Sequence, residues 1–347
     1  MKIAAIDIIN SKNRNSTVDI FRGIAILLVV LCHFSNTFFY GYVGVDLFFV
    51  ISGLLVGGLL VRKFNSIHSI NFTTFFLQRG LKIWPSYFIF LLLGIPISYL
   101  LFAQSNPEQL ISLSELPKYI FFYKNYSVQP FHLVFDQIWS LCIEEHFYIM
   151  LPIVFIILKY FNIGKNGLFA TAFFFILSGI VSKIFMNHSS SLGTHARIDA
   201  LGWGVLLSLV QTYYPLKIKK QYLLSVFGLI ILSTLIFTRH YYNTSFYERV
   251  IYHSTLPISF FLMIIGLYNY NLKSFKLIRL IGYYSYNWYL WHPMFHVVIA
   301  NEFGEGFIPM LGYLLLSFSV AVFFTIVVEE KFLSYRTKII NILPTQV

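Results

Sequence analysis

An all-α fold is what this sequence predicts: a polytopic membrane bundle of about ten transmembrane helices with both termini in the cytoplasm. Three observations predict it. Of the 347 residues, 57% are hydrophobic and only 11% charged, whereas a soluble chain carries roughly 25% charged residues. The apolar residues come in runs near the length of about 20 that a hydrocarbon core demands. Finally, most of the 25 Lys and Arg residues fall in alternate connecting segments, the bias that holds basic residues on the cytoplasmic side.

The candidate spans, in order, are 20–39, 43–61, 86–103, 137–158, 168–186, 199–214, 221–238, 251–268, 282–300 and 308–328. Three parts follow: a cytoplasmic N-terminal segment (1–18), a transmembrane domain (19–330) and a cytoplasmic tail (331–347). The connection 104–136 is the longest and has room for a short surface helix. The net charge of +11 is spread in short clusters between apolar runs rather than gathered in a basic domain. That distribution speaks for topology and lipid contact and against nucleic acid. Cys32 and Cys142 both lie in apolar runs, so they read as inert thiols rather than a disulfide framework. No HExxH or Cys/His cluster marks a metal site, and the residues before the first span do not read as a cleavable leader.

The first span, FRGIAILLVVLCHF (21–34), carries two ionisable residues. Arg22 and His33 are eleven positions apart, which returns nearly to the same helix face about 16 Å further along the axis. Ionisable groups inside a membrane are functional candidates by default. A snorkelling arginine and a core histidine bonded to a backbone carbonyl are the structural alternative. In FFLQRGLKIWPSYF (75–88), Arg79 and Lys82 share a helix face expected to end at Pro85. They serve either membrane topology or the phosphates of an anionic ligand.

QIWSLCIEEHFYIMLP (137–152) puts two carboxylates and a histidine at a span entrance. Adjacent residues diverge by 100°, so one carboxylate points into the bundle; Glu144, on the face of Trp139 and Tyr148, is preferred to Glu145. THARIDALGWG (194–204) offers Arg197 and Asp199 as an acceptor-binding pair or as structural ion-pairing groups. His195 with Asp199, and His132 with Asp136, also spell HxxxD, a soluble-acyltransferase pattern that in this architecture reads as chance. IGYYSYNWYLWHPMFH (281–296) places His292 mid-span beside Trp288, suited to a substrate path or to aromatic anchoring.

Taken together and in order, DIFRGIAILLVVLCHF, GVDLFFVISGLL, FFLQRGLKIWPSYF, QIWSLCIEEHFY, ARIDALGWG and YYSYNWYLWHP resemble the acyltransferase-3 family of integral membrane O-acyltransferases, over nearly the whole chain. The resemblance implies transfer of an acyl group, most often acetyl, from cytoplasmic acyl-CoA to a hydroxyl of an extracytoplasmic glycan or lipid-linked glycan in the bacterial plasma membrane. It implies catalytic roles for Arg22 and His33 and donor binding by the basic motif of Arg79 and Lys82. Added to it, the residue patterns make Glu144 a third catalytic candidate and Arg197, Asp199, His292 and Trp288 candidates for substrate binding. Gln78 and Lys82 stand where the family usually has arginine, and lysine keeps the charge without the bidentate fork. The family's optional C-terminal SGNH-type domain has no counterpart in these residues, so a stand-alone membrane domain is expected. A membrane transporter of a glycan intermediate is the competing reading; it would more typically show inverted repeats and broken helices. The same chemistry on a lipid, peptide or macrolide sugar is the other alternative.

Overall fold

The computed structural model describes residues 5–11, 14–34, 40–67, 70–104, 107–127, 132, 134–185, 192–216, 218–242, 244, 246–304 and 306–335. The expected tail therefore lies outside the described residues from position 336 onward. Among the described residues there is no strand.

Among the described residues ten long helices overlap the ten predicted spans, of which positions 35–39 and 186 lie outside the described residues. The first is α2 (Ser16–Phe34), preceded by a short α1 (Ala5–Ile9), and then come α3 (Val43–Phe64) and α4 (Phe72–Phe102). A one-turn α5 (Leu116–Ile120) follows, then α6 (Ile138–Tyr160), α7 (Lys165–Phe185) and α8 (Thr194–Tyr213). The remainder are α9 (Tyr222–Tyr241), α10 (His253–Leu267), α11 (Lys276–Phe303) and α12 (Phe307–Phe324). Eight helical stretches among the described residues are long and apolar enough to cross a membrane. The other two long helices, α8 and α11, carry many of the polar residues that face the interior, which lowers their mean hydropathy. The protein is a multi-pass membrane protein.

Local chemistry explains the helix starts. The Asn15 side chain accepts from the amides of Thr17 (2.9 Å) and Val18 (3.2 Å), and Asn71 accepts from Thr74 (2.9 Å). Each satisfies donors that a helix N-terminus leaves without an internal partner. One expectation is corrected here. The basic helix does not stop at Pro85: α4 is one helix of 31 residues with Pro85 and Pro96 inside it. A proline costs a helix one backbone bond and a steric clash, but in a bundle neighbouring helices can re-satisfy the backbone. Tyr286 of α11 pins α4 to the bundle in this same stretch, donating to the Ile83 carbonyl at 2.8 Å.

Helix α3 is the central helix, packed most extensively on α8 and also on α2, α6 and α10. Its close crossing with α8 rests on glycine. A Cβ on Gly53 would lie 2.1 Å from the Leu201 carbonyl oxygen, and one on Gly204 would lie 2.2 Å from that of Val50. Small residues at such crossings let backbones approach where lipid supplies no hydrophobic drive. Gly53→Val or Gly204→Val is therefore expected to cost ~1–3 kcal/mol, the usual penalty of overpacking. Thermal unfolding in detergent checks this, and an unchanged Tm contradicts it.

At the N-terminal end of α2, Asp19 accepts Arg14 at 2.7 Å and lies 3.5 Å from the fully buried Arg279 of α11. Helices α2 and α11 are thereby clamped side by side, the arrangement that frames the candidate site.

Candidate functional site

A cleft enclosing about 780 Å³ of empty space, counting its open mouth, lies between α2, α3, α4, α6 and α11. Its lining includes three cations and one carboxylate: Arg22, Arg79, Lys82 and Glu144. Each arrives from sequence spacing already noted. Arg22 is near the start of α2, and Arg79 and Lys82 share the face of α4 that continues through Pro85. Glu144 projects from the second turn of α6.

The contacts orient these groups. Arg22 donates from Nη2 to Ser285 Oγ at 3.0 Å. The Arg79 guanidinium lies 5.6 Å from the centre of the Tyr148 ring, within the range of cation–π attraction. Tyr148 donates to Glu144 Oε2 at 2.6 Å, and Ser52 Oγ lies 2.7 Å from the same phenol oxygen. A phenol has one proton to give. With that proton directed to the carboxylate, Ser52 is the donor to Tyr148, and the polar chain runs Ser52 to Tyr148 to Glu144. Among the described residues none of the three cations makes an ion pair. Positive groups gathered in a membrane interior without paired carboxylates favour an anion.

Glu145 takes a different place. It is buried, accepts from Trp84 Nε1 at 3.2 Å and does not line the cleft. Of the adjacent carboxylates it is Glu144 that meets the cavity.

His33 does not line the cleft either. Tyr289 stands at the boundary: its ring lines the cleft, and its hydroxyl is held by the Gln137 carbonyl (2.9 Å) and Ser140 Oγ (2.7 Å). Beyond it lies His292, with ring centroids 5.8 Å apart, and then His33, edge-on to His292 at 4.9 Å. His33 is exposed, whereas His292 is fully buried. Nδ1 of His33 lies 2.8 Å from the Val29 carbonyl, and Nδ1 of His292 lies 2.8 Å from that of Tyr289. A carbonyl only accepts, so Nδ1 carries the proton in both rings, and in the neutral imidazole Nε2 is left as a basic acceptor. Nε2 of His292 is buried with no hydrogen-bond partner among the described residues. The arginine and histidine of α2 thus mark two levels, a cationic cleft and a histidine pair, with Tyr289 between them.

Three other sequence candidates lie elsewhere. Trp288 donates to Ser317 Oγ of α12 at 2.9 Å and packs on Phe318, away from the cleft. Arg197 and Asp199 are both buried, and they pair with other residues rather than each other. Asp199 accepts Lys183 of α7. Arg197 lies 3.4 Å from Asp46 of α3 and 2.7 Å from His253 Nδ1 of α10. This network ties α3, α7, α8 and α10 together and does not open on the cleft. The HxxxD pattern at His132 is a loop device. The backbone amide of His132 donates to Asp136 at 2.9 Å, and Nε2 lies 3.1 Å from Glu115. Burial, helped by nearby Lys124, pushes the His132 imidazole down to about 4, so it is neutral at pH 7. Among the described residues of the long connection, His132, Lys124 and Asn125 are buried.

Several contributors were missed from the sequence. Asp46, a carboxylate inside an apolar run, was detectable by the same rule that singles out Arg22. Ser52 and Ser285 carried no signal, since hydroxyls are ordinary in membrane helices, whereas Tyr289 belongs to the mid-span aromatic run that flanks His292 in the sequence.

Compared with known proteins, residues 15–330 match the acyltransferase domain that defines the acyltransferase-3 family. The chain belongs to that family. Among curated relatives, the O-acetyltransferase OatA of Staphylococcus aureus strain NCTC 8325 is 26% identical over 335 residues, covering 86% of this chain and 53% of the relative. The same figures hold for OatA of strain COL. A further protein of strain COL, which bears a provisional O-acetyltransferase name, is 26% identical over 355 residues, covering 92% of this chain and 56% of its own. The chain spans about half the length of the curated relatives it matches. No solved structure shows a significant match. The described residues include no group able to hold a metal ion.

Proposed function

We propose that the protein is a membrane O-acetyltransferase that moves an acetyl group from cytoplasmic acetyl-CoA to a hydroxyl of an extracytoplasmic glycan. The single observation that carries this reading is the cleft in which Arg22, Arg79 and Lys82 converge without ion-pair partners. Such a cleft suits the phosphates of a CoA thioester, and family membership supplies the acyl chemistry. The family names of the relatives support the acetyl group and the hydroxyl acceptor. The basic-residue bias puts the Arg22 end of α2 at the cytoplasm and the His33 end toward the exterior.

In this scheme Arg79, Lys82 and Arg22 hold the donor phosphates, and the slot past Ser52 and Tyr289 takes the pantetheine arm. His33 Nε2 accepts the acceptor hydroxyl's proton as the new C–O bond forms and the thioester C–S bond breaks. It then returns that proton to the departing thiolate. A positioned general base contributes roughly 100- to 10,000-fold. Glu144, held by Tyr148, orients the reacting groups on the cleft side, and buried His292 supports the His33 ring or meets the substrate with its Nε2. The site belongs to a bacterial plasma membrane in this reading, and a glycan or lipid-linked glycan is the partner.

Comparison of surface glycans from cells with and without the gene tests the proposal. The expected result is loss of O-acetyl ester when the gene is removed and its return with the wild-type gene. Glu144→Gln should fail to restore it while Glu145→Gln restores it largely. Unchanged glycan acetylation without the gene would count against the acceptor class proposed.

A further inference from the structure

Outside the lining of the cleft, a second carboxylate, Glu329, stands behind the cations. After α12 the chain makes one π-helical turn, Thr325–Glu329, and π-turns of this kind recur at functional sites. The turn packs against α4, the helix that carries Lys82. It also leaves Glu329 buried, at 8% exposure. One nitrogen, Nδ2 of the fully buried Asn287 on α11, donates at 3.0 Å both to Glu329 Oε2 and to Thr325 Oγ1. Asn287 is two residues past Ser285, the partner of Arg22. Tyr286, between them, bonds the backbone of α4 at Ile83, the residue after Lys82. Arg22 and Lys82 are therefore within electrostatic reach of Glu329, although neither forms a contact ion pair with it. Nothing in packing requires a carboxylate here, because burying one is costly unless it is matched by positive charge.

Building on the proposed donor site, we infer that Glu329 is the internal counter-ion of the cationic cleft, weakening its grip on the phosphates of the CoA moiety so that spent CoA can leave. Without an anion bound, Glu329 offsets Lys82 and Arg22. With phosphates bound, it repels them and limits the affinity of donor and product alike. Asn287 holds the carboxylate back from the cations, setting the strength of that offset. A cleft with no such group would bind donor tightly and release product slowly, since interactions made equally by bound states do not speed turnover.

The test is CoA binding to the purified full-length protein in nanodiscs, measured for wild type, Glu329→Gln and Asn287→Ala, with phosphate-free pantetheine as the neutral probe. Glu329→Gln is expected to bind CoA about tenfold more tightly, equivalent to removing about 1.4 kcal/mol of repulsion. Its pantetheine affinity should stay the same, and turnover at saturating donor should fall. Asn287→Ala frees the carboxylate to approach the cations and is expected to weaken CoA binding. Opposite signs from two variants keep the test decisive even where one of them folds poorly. Unchanged or weaker CoA binding by folded Glu329→Gln overturns the inference while leaving the donor site in place. Failure of the wild type to bind CoA overturns both.

Discussion

Replacing His33 with alanine is expected to lower acetyl transfer by about 100- to 10,000-fold, the range by which a positioned general base accelerates a reaction. Donor affinity should change little, because His33 is not among the residues lining the cationic cleft. That separation is the useful part of the prediction. Arg22→Ala, one level below on the same helix, should instead weaken CoA binding, since Arg22 lines the cleft and makes no ion pair among the described residues. Steady-state kinetics with acetyl-CoA as the varied substrate distinguish the two: kcat falls for His33→Ala, and KM rises for Arg22→Ala. An intact His33→Ala protein that acylates at the normal rate would remove the histidine from the mechanism. The His33 tautomer provides a control. Val29 O accepts from Nδ1 at 2.8 Å, so the basic nitrogen is Nε2. Glutamine can fill the ring's space and hydrogen-bond there, but it cannot act as a base, and His33→Gln should be as inactive as the alanine variant.

The largest expected effect on stability lies far from that chemistry. Asp199→Ala removes the partner of Lys183 inside the bundle, where the two side chains are 1% and 3% exposed. Breaking a buried pair by deleting one member costs roughly 3–5 kcal/mol, because the remaining charge is left uncompensated. Lys183 would keep the His253 carbonyl at 3.1 Å as an acceptor, which softens the loss without supplying a negative charge. Lys183→Met combined with Asp199→Ala is expected to regain much of the stability, since apolar replacements of buried pairs are often neutral. Chemical or thermal unfolding in detergent measures both variants. Equal stability of Asp199→Ala and wild type would contradict the description of this network as structural.

The bundle was largely legible in the sequence because a membrane leaves few alternatives. Apolar runs of the needed length can only be helices or barrel strands, and the periods here are helical. Helices α8 and α11 are the instructive pair, since their interiors carry Arg197, Asp199, Asn287 and His292. Their polar residues, which lower the hydropathy signal, are what make them important to the inside of the protein. Helical pitch placed Arg22 and His33 on one line and separated Glu144 from Glu145, a purely local matter. What pitch could not show was which helix each face meets. Arg197 and Asp199 looked like an outer pair because they are two residues apart, yet their partners, Asp46, His253 and Lys183, come from three other helices. Glu329 falls just past the last predicted span, 308–328, and nothing local marks it; the π-turn and Asn287 place it beside α4 and α11. Pro85 misled in the other direction. In water its missing amide would be expected to end a helix, but here the bundle carries α4 straight through it.

The central claim is that the cationic cleft delivers an acyl group from one side of the membrane to a hydroxyl on the other. Reconstituting the purified protein in liposomes, with labelled acetyl-CoA on the Arg22 side and a glycan acceptor on the His33 side, measures that directly. The expected result is release of CoA thiol matched by labelled O-acetyl ester on the acceptor, with both lost in the His33→Ala protein. Movement of glycan across the bilayer without consumption of acetyl-CoA would contradict it and identify a transporter instead.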